Sequence, residues 1–200
     1  MGYPAPPWQM QGQLWLSLFR VRGVAGRRDG VYGAAFVSYE PGSELTYSEV
    51  LVARPASGPG HAVEITDIWV DSPESVEGGR ELWAIPKGLC EFRHDNRRSG
   101  PLAQAEWYAS VSGTSVARAQ FSDLSRFAPR LPFRGGTWQP ALDGGDAPKT
   151  ATLHGSARTL PCRGRWDFAG DGPLGWLAGR RPVASFRMSD FEMSFGGEYS

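Results

Sequence analysis

Lysine is nearly missing from this chain. Of 21 basic residues only Lys87 and Lys149 are lysines. An arginine-biased composition accounts for the scarcity without any function, yet it leaves open why a lysine sits inside an apolar run. Cysteine is scarce too. Cys90 and Cys162 have no metal-ligand spacing and read as two free buried thiols. The histidines, His61, His94 and His154, share no zinc-ligand spacing either. No stretch reaches the roughly 18 apolar residues of a membrane span. The first residues, Met1-Gly2-Tyr3-Pro4-Ala5-Pro6-Pro7, lack the basic and apolar regions of a secretory signal, so a soluble cytoplasmic protein is expected. Net charge is absent as well. Twenty-one basic residues balance 21 acidic ones, which argues against a protein built to neutralise nucleic-acid phosphates.

What is present describes a folded chain. At 200 residues, 40% hydrophobic and 21% charged, it can bury a core without disulfide staples and is expected to form a single domain over 1–200. Gly (26) and Pro (16) are spread as punctuation between short segments, which points to β structure. Eight tryptophans are many for this length; most read as core, with one or two walling a ligand pocket.

Apolar alternation predicts strands over 13–22, 31–39, 45–53 and 63–70. In the first, Leu14, Leu16 and Leu18 share one face, and Gln13, Trp15, Ser17 and Phe19 the other. A helix is expected from Pro73 to about Trp83, with Ser72 as N-cap and Glu74 in the first turn. Pro86 then forces an extended residue before itself, so Lys87 falls at a helix-to-strand corner. Strands follow over 89–94, 103–112 and 115–121. Residues 122–148 read as irregular. Weaker strand signals cover 150–159 and 165–168, one helical turn is expected over 173–177, and a closing strand over 183–195 bends near Ser189-Asp190. Many short strands with one short helix suggest an antiparallel barrel or sandwich.

Amine catalysis needs a lysine that is partly neutral. An ordinary lysine titrates near ~10.4, so only about one in a few thousand is nucleophilic at neutral pH. Burial lowers that value, and Leu82, Trp83, Ala84, Ile85, Pro86 and Leu89 give Lys87 an apolar flank. From the residues alone, a desolvated amine and a solvated loop lysine are both open.

The run Gly79-Arg80-Glu81-Leu82-Trp83-Ala84-Ile85-Pro86-Lys87 resembles the signature around the Schiff-base lysine of acetoacetate decarboxylases, a family whose catalysis rests on an activated lysine amine. The preceding strand Ile65–Val70 with its acidic helix start is similar to that family, and Tyr47-Ser48-Glu49 looks like its Tyr-x-Glu segment. The resemblance covers roughly 12–125 and returns at 183–196. It implies a mainly β fold, a double-layered antiparallel barrel or cone with one short helix before the lysine. It also implies a Schiff-base-forming lyase acting on a small keto acid, with Lys87 as amine nucleophile and Glu49 as acid/base. No cofactor or metal is implied, because the iminium serves as the electron sink. A homo-oligomer is expected. Arg80, Glu81 and Trp83 are the candidate substrate-binding residues.

The chain departs from that pattern in three places. Gly88 stands where the family carries a second lysine beside the first. Gly12 or Gln13 replaces a first-strand arginine, and Ala34-Ala35 a second glutamate. These departures favour aldolase- or dehydratase-like relatives over acetoacetate decarboxylation itself. They also keep a second class open: a non-catalytic small-ligand-binding barrel on the same scaffold, with a calycin-like barrel as its weaker version. Arg80 with Glu81 reads equally as a helix-surface ion pair. His94 beside Asp95 reads as a strand-end histidine, and Arg93, Arg97 and Arg98 as a solvated turn.

Overall fold

The computed structural model describes residues 2–57, 62–124, 128–142, 144–145 and 147–197. His61 lies outside them. The strands are β1 (Trp8–Val21), β2 (Gly30–Tyr39), β3 (Tyr47–Pro55), β4 (Val63–Val70), β5 (Lys87–Leu89), β6 (Glu91–Ser99), β7 (Leu102–Val111), β8 (Thr114–Asp123), β9 (Arg130–Gln139), β10 (Lys149–Pro161), β11 (Arg163–Asp167) and β12 (Ala184–Gly197). The helix α1 (Pro73–Trp83) joins β4 to β5, and a 3-10 turn occupies Gly175–Leu177. No helix among the described residues is long and apolar enough to cross a membrane.

One sheet runs β3-β2-β1-β12-β10-β9-β4-β5, and β3 also pairs with β4, so the sheet closes on itself as a barrel. A second sheet, β11-β8-β7-β6, packs against it. Two-residue periodicity divides the interior. On β1–β3 one set of alternate positions, with Leu16, Leu18, Val37 and Leu51, faces the barrel lumen. Trp15, Phe19, Phe36, Val50 and Val52 face the second sheet, where they meet Trp107, Phe121 and Trp166. Phe36 stacks between Trp107 and Trp166, with centroids 5.1 and 5.2 Å away. This aromatic layer fixes the outer face of the barrel wall and hence the direction of its inner side chains. A second cluster, with Trp8, Met10, Tyr39, Trp83, Ile85 and Phe191, fills one end of the lumen.

The long β1 stays in register with two partners by means of a bulge at Gly12. A Cβ there would stand 1.9 Å from the Ser38 carbonyl oxygen, so the close strand approach requires glycine.

Three expectations are corrected. The stretch 122–148 is not all irregular: it contains β9, disguised in the sequence by Pro132 and the Gly135-Gly136 pair, which pairs with β10 along its length. The strand expected over 89–94 is two strands that part at Cys90: β5 joins the barrel in parallel with β4, and β6 enters the second sheet. The polar run of β6, largely exposed, is a charged edge strand. Cys162 is half-buried, not buried, although both thiols are free. Burial pushes each of them up to about 12.

Closure between β4 and β9 rests on few contacts. Their backbones pair at Val63 and Thr137. Two residues further on, the fully buried Gln139 side chain takes over. Its Oε1 accepts from the Ile65 N–H at 2.9 Å, and its Nε2 donates to the Ile65 carbonyl at 3.1 Å. Gln139→Leu strands both backbone groups, so unfolding in urea is expected to show a loss of about 2 kcal/mol or more.

Candidate active site

Lys87 begins β5 and its side chain turns into the barrel, where it is 5% exposed. Local sequence sets this corner. Ser72 caps α1 by accepting from the Ser75 N–H. The helix stops at Ala84, which takes a left-handed backbone (φ 53°), with Ala84 N–H donating to Arg80 O and Ile85 N–H to Gly79 O. Pro86 prevents continuation, and Lys87 pairs with Ile68 of β4.

The ammonium has three donors, and three oxygens surround it. Nζ donates to Ser75 Oγ at 2.8 Å and to Tyr47 Oη at 3.2 Å. Glu49 Oε2 lies 3.2 Å away, and Glu49 is itself 3% exposed. Tyr39 Oη donates to the other carboxylate oxygen at 3.3 Å. Burial is the largest single influence on the Lys87 amine and pushes it down. The Tyr47 and Glu49 oxygens act in the opposite sense and together outweigh burial, so the amine is held above its ordinary value. Burial, and then the neighbouring Glu49, push the Tyr39 phenol well up, which keeps it a neutral donor.

These groups stand at one end of a cavity of ≈ 460 Å³ enclosed by the barrel. Trp83 lines that end, its ring edge-on to Trp8 and Phe195 at 4.7 Å each. Val31 and Val63 line the cavity too, yet are 42% and 38% exposed, so they mark its mouth.

Lys87, Glu49 and Trp83 are thus brought together. Arg80 and Glu81, expected beside them, do not line the cavity. Each helical residue turns about 100°, so the face that carries Ser75 and Gly79 toward Lys87 leaves Arg80 and Glu81 exposed. Arg80 Nη1 instead donates to the Lys87 carbonyl at 3.2 Å and braces the corner from outside. The Glu81 carbonyl accepts from Lys149. His94 lies on β6, stacked on Trp107 at 4.6 Å, and His154 is exposed on β10; neither lines the cavity. No group of three His, Cys, Asp or Glu side chains among the described residues could hold a metal ion.

Sequence reasoning missed Tyr39 and Ser75. Alternation along β2 carries the signal for Tyr39, which falls on the same face as Val37 and Ala35. The signal for Ser75 is its spacing of four from Gly79, one turn along the same helix face.

Known proteins share this architecture. The family described as acetoacetate decarboxylase (ADC) matches residues 25–135, more than half of the chain. The chain belongs to the acetoacetate decarboxylase family. Among solved structures it is similar to acetoacetate decarboxylase from Legionella pneumophila, at 14% identity and TM-score 0.64, covering 100% of this chain and 90% of that one. It is also similar to the enduracididine biosynthesis enzyme MppR complexed with the condensation product of pyruvate and imidazole 4-carboxaldehyde. There the identity is 18% and the TM-score 0.64, over 97% of this chain and 88% of that one. An acetoacetate decarboxylase-like enzyme from Sphingomonas wittichii RW1 matches at 15% identity and TM-score 0.57, over 95% and 90%. No curated protein matches the chain by sequence. The barrel with its second sheet and single helix is the architecture that the family resemblance implied.

The first glycine of the family motif has a steric reason here. A Cβ on Gly79 would stand 2.8 Å from Lys87 Cδ and 3.0 Å from Cε. Alanine raises helix propensity by about 1 kcal/mol but must push the lysine arm off its partners. Gly79→Ala is therefore expected to leave circular dichroism unchanged. Labelling of Lys87 by acetic anhydride should rise about tenfold, as a charge-assisted hydrogen bond is weakened. The exposed Lys149 serves as the internal reference.

Proposed function

We propose that the protein is a Schiff-base-forming lyase that acts on a keto acid, with Lys87 as the nucleophile. The observation that supports this most is the buried Lys87 amine, in contact with Glu49 at the closed end of an apolar cavity. Membership of the acetoacetate decarboxylase family supports the same chemistry.

The resting amine is an ammonium, so it must lose a proton before it attacks. Glu49, 3.2 Å away, is the acceptor. The surrounding oxygens favour the ammonium, so the neutral amine is a minor state that addition to the carbonyl draws off. The free amine adds to the substrate carbonyl, and the carbinolamine loses water with a proton returned by Glu49. The resulting iminium draws the electron pair of the Cα–carboxylate bond as carbon dioxide leaves a 3-oxo acid. Glu49, now a carboxylate, takes up a proton from water and passes it to the enamine carbon, and hydrolysis of the resulting iminium frees Lys87. The same iminium serves aldol or dehydration chemistry when the substrate bears no β-carboxylate. Tyr47 and Tyr39 position the pair: one hydroxyl touches the amine, the other the carboxylate. Trp83 walls the reacting end.

The departures from the family pattern give the second reading its basis. With Gly88 after Lys87, no neighbouring lysine lowers the amine, and the surrounding oxygens raise it. That arrangement also suits a barrel that binds a ligand without turning it over.

Borohydride reduction in the presence of acetoacetate, pyruvate or a longer 3-oxo acid is expected to add the mass of a reduced imine to the wild type. The gain should be absent from Lys87→Ala. No adduct with any of them, alongside retained ligand binding, would establish the binding barrel. Glu49→Gln removes a raising influence on Lys87 and leaves burial in place, so the amine should titrate lower. The pH midpoint for acetic anhydride labelling of Lys87 is expected to fall. Turnover should drop by about 10²–10⁴-fold as the proton relay is lost.

A further inference from the structure

The cavity is longer and more apolar than a short keto acid needs. Along β3 both Glu49 and Pro55 line it. Six residue steps at about 3.3 Å separate them, a strand path of about 20 Å; barrel strands tilt by roughly 35–45°, so the lumen runs for about 15 Å along its axis. Register places its two ends. Glu49 stands opposite Val70, while Pro55 stands opposite Val63 at the mouth. Between these ends the wall is made by Leu16, Leu18, Ala35, Leu51, Ile65 and Leu153.

Charge is confined to the ends. Among the described lining residues, Glu49 and Lys87 lie at the closed end and Arg54 at the mouth. Arg54 is already committed to Glu64 at 2.6 Å. Along the intervening wall no cation waits for a second anionic group. Thr137, paired with Val63 at the mouth, adds one buried hydroxyl without a partner among the described residues, so a polar substrate of this length would lose most of its hydration without replacement. An aliphatic chain loses nothing and gains from burial.

We infer that the substrate is a keto acid whose carbonyl bears an unbranched aliphatic tail of about eight to twelve carbons. The length follows from about 15 Å of lumen and a chain advance of about 1.2 Å per bond, which is about twelve bonds at most, fewer once the carboxylate end is seated. This rests on the Schiff-base reading of the same site. The carbonyl carbon sits against Lys87, and the tail runs along the barrel axis to end between Val31 and Val63.

Two measurements keep the tail and the imine apart. Straight-chain 2-alkanols of four to fourteen carbons have no carbonyl and form no imine. Their binding is read from tryptophan fluorescence, since Trp8 and Trp83 line the cavity. Affinity is expected to rise about fourfold per methylene and to level off near ten to twelve carbons. Ala53→Phe, with its ring in the mouth half of the lumen, should move that plateau to shorter chains. In parallel, borohydride trapping is run with 3-oxo acids of four and twelve carbons. The longer acid is expected to half-saturate at a concentration at least about a hundredfold lower. A length-dependent alkanol series without any trapped imine upholds the apolar tail and removes the Schiff-base reading. Trapped acetoacetate with a flat alkanol series, and equal half-saturation by both acids, overturns the tail while the Schiff base stands.

Discussion

A cation enclosed by an apolar barrel is the constraint around which this structure is arranged. Taking an ammonium out of water costs several kcal/mol unless its donors are met. Ser75, Tyr47 and Glu49 meet them, and they arrive from two separate elements. Tyr47 and Glu49 come from β3, two residues apart on the inward face. Ser75 comes from the first turn of α1, whose N-cap holds that turn in place. Gly79 supplies space by having no side chain. The result is an amine that is desolvated yet fully satisfied, with a carboxylate in reach of its proton.

The barrel wall serves two cores at once, and neither is independent of the other. The inward positions of β1–β3 form a lumen, and the outward positions carry the aromatic layer that binds the second sheet. A slip of one residue in β1 would exchange Leu16 for Trp15, filling the lumen and emptying the layer. The tightly packed aromatic side therefore protects the open side: it pins the register that keeps Glu49 pointing at Lys87. This explains how a wall of small and aliphatic residues can surround ≈ 460 Å³ without collapsing.

Local signals were legible where local forces dominate. Ser72, Pro73 and Pro86 mark the helix and the corner before Lys87, and those features depend only on neighbours in the chain. β4 follows its apolar pattern over the same residues, 63–70. The reading failed at β9, where Pro132 and paired glycines imitate a loop. There the ladder with β10 outweighs propensity. It failed again at Cys90, since a change of sheet leaves no mark in a run that stays extended. Arg80 and Glu81 drew attention through the family motif, but the helix turns them to solvent, and the motif's spatial role passes to Gly79.

By itself the sequence determined the alternation of the strands, the capped helix, the lysine corner and the family, because each is written in residues close together along the chain. Only the tertiary structure decided which face of each strand looks inward, that Ser75 and Tyr39 join the site, and how long the cavity is. Lys87 and its partners are separated by 12 and 40 residues. Their meeting depends on barrel closure and on the register held by the aromatic layer, and no local pattern encodes either.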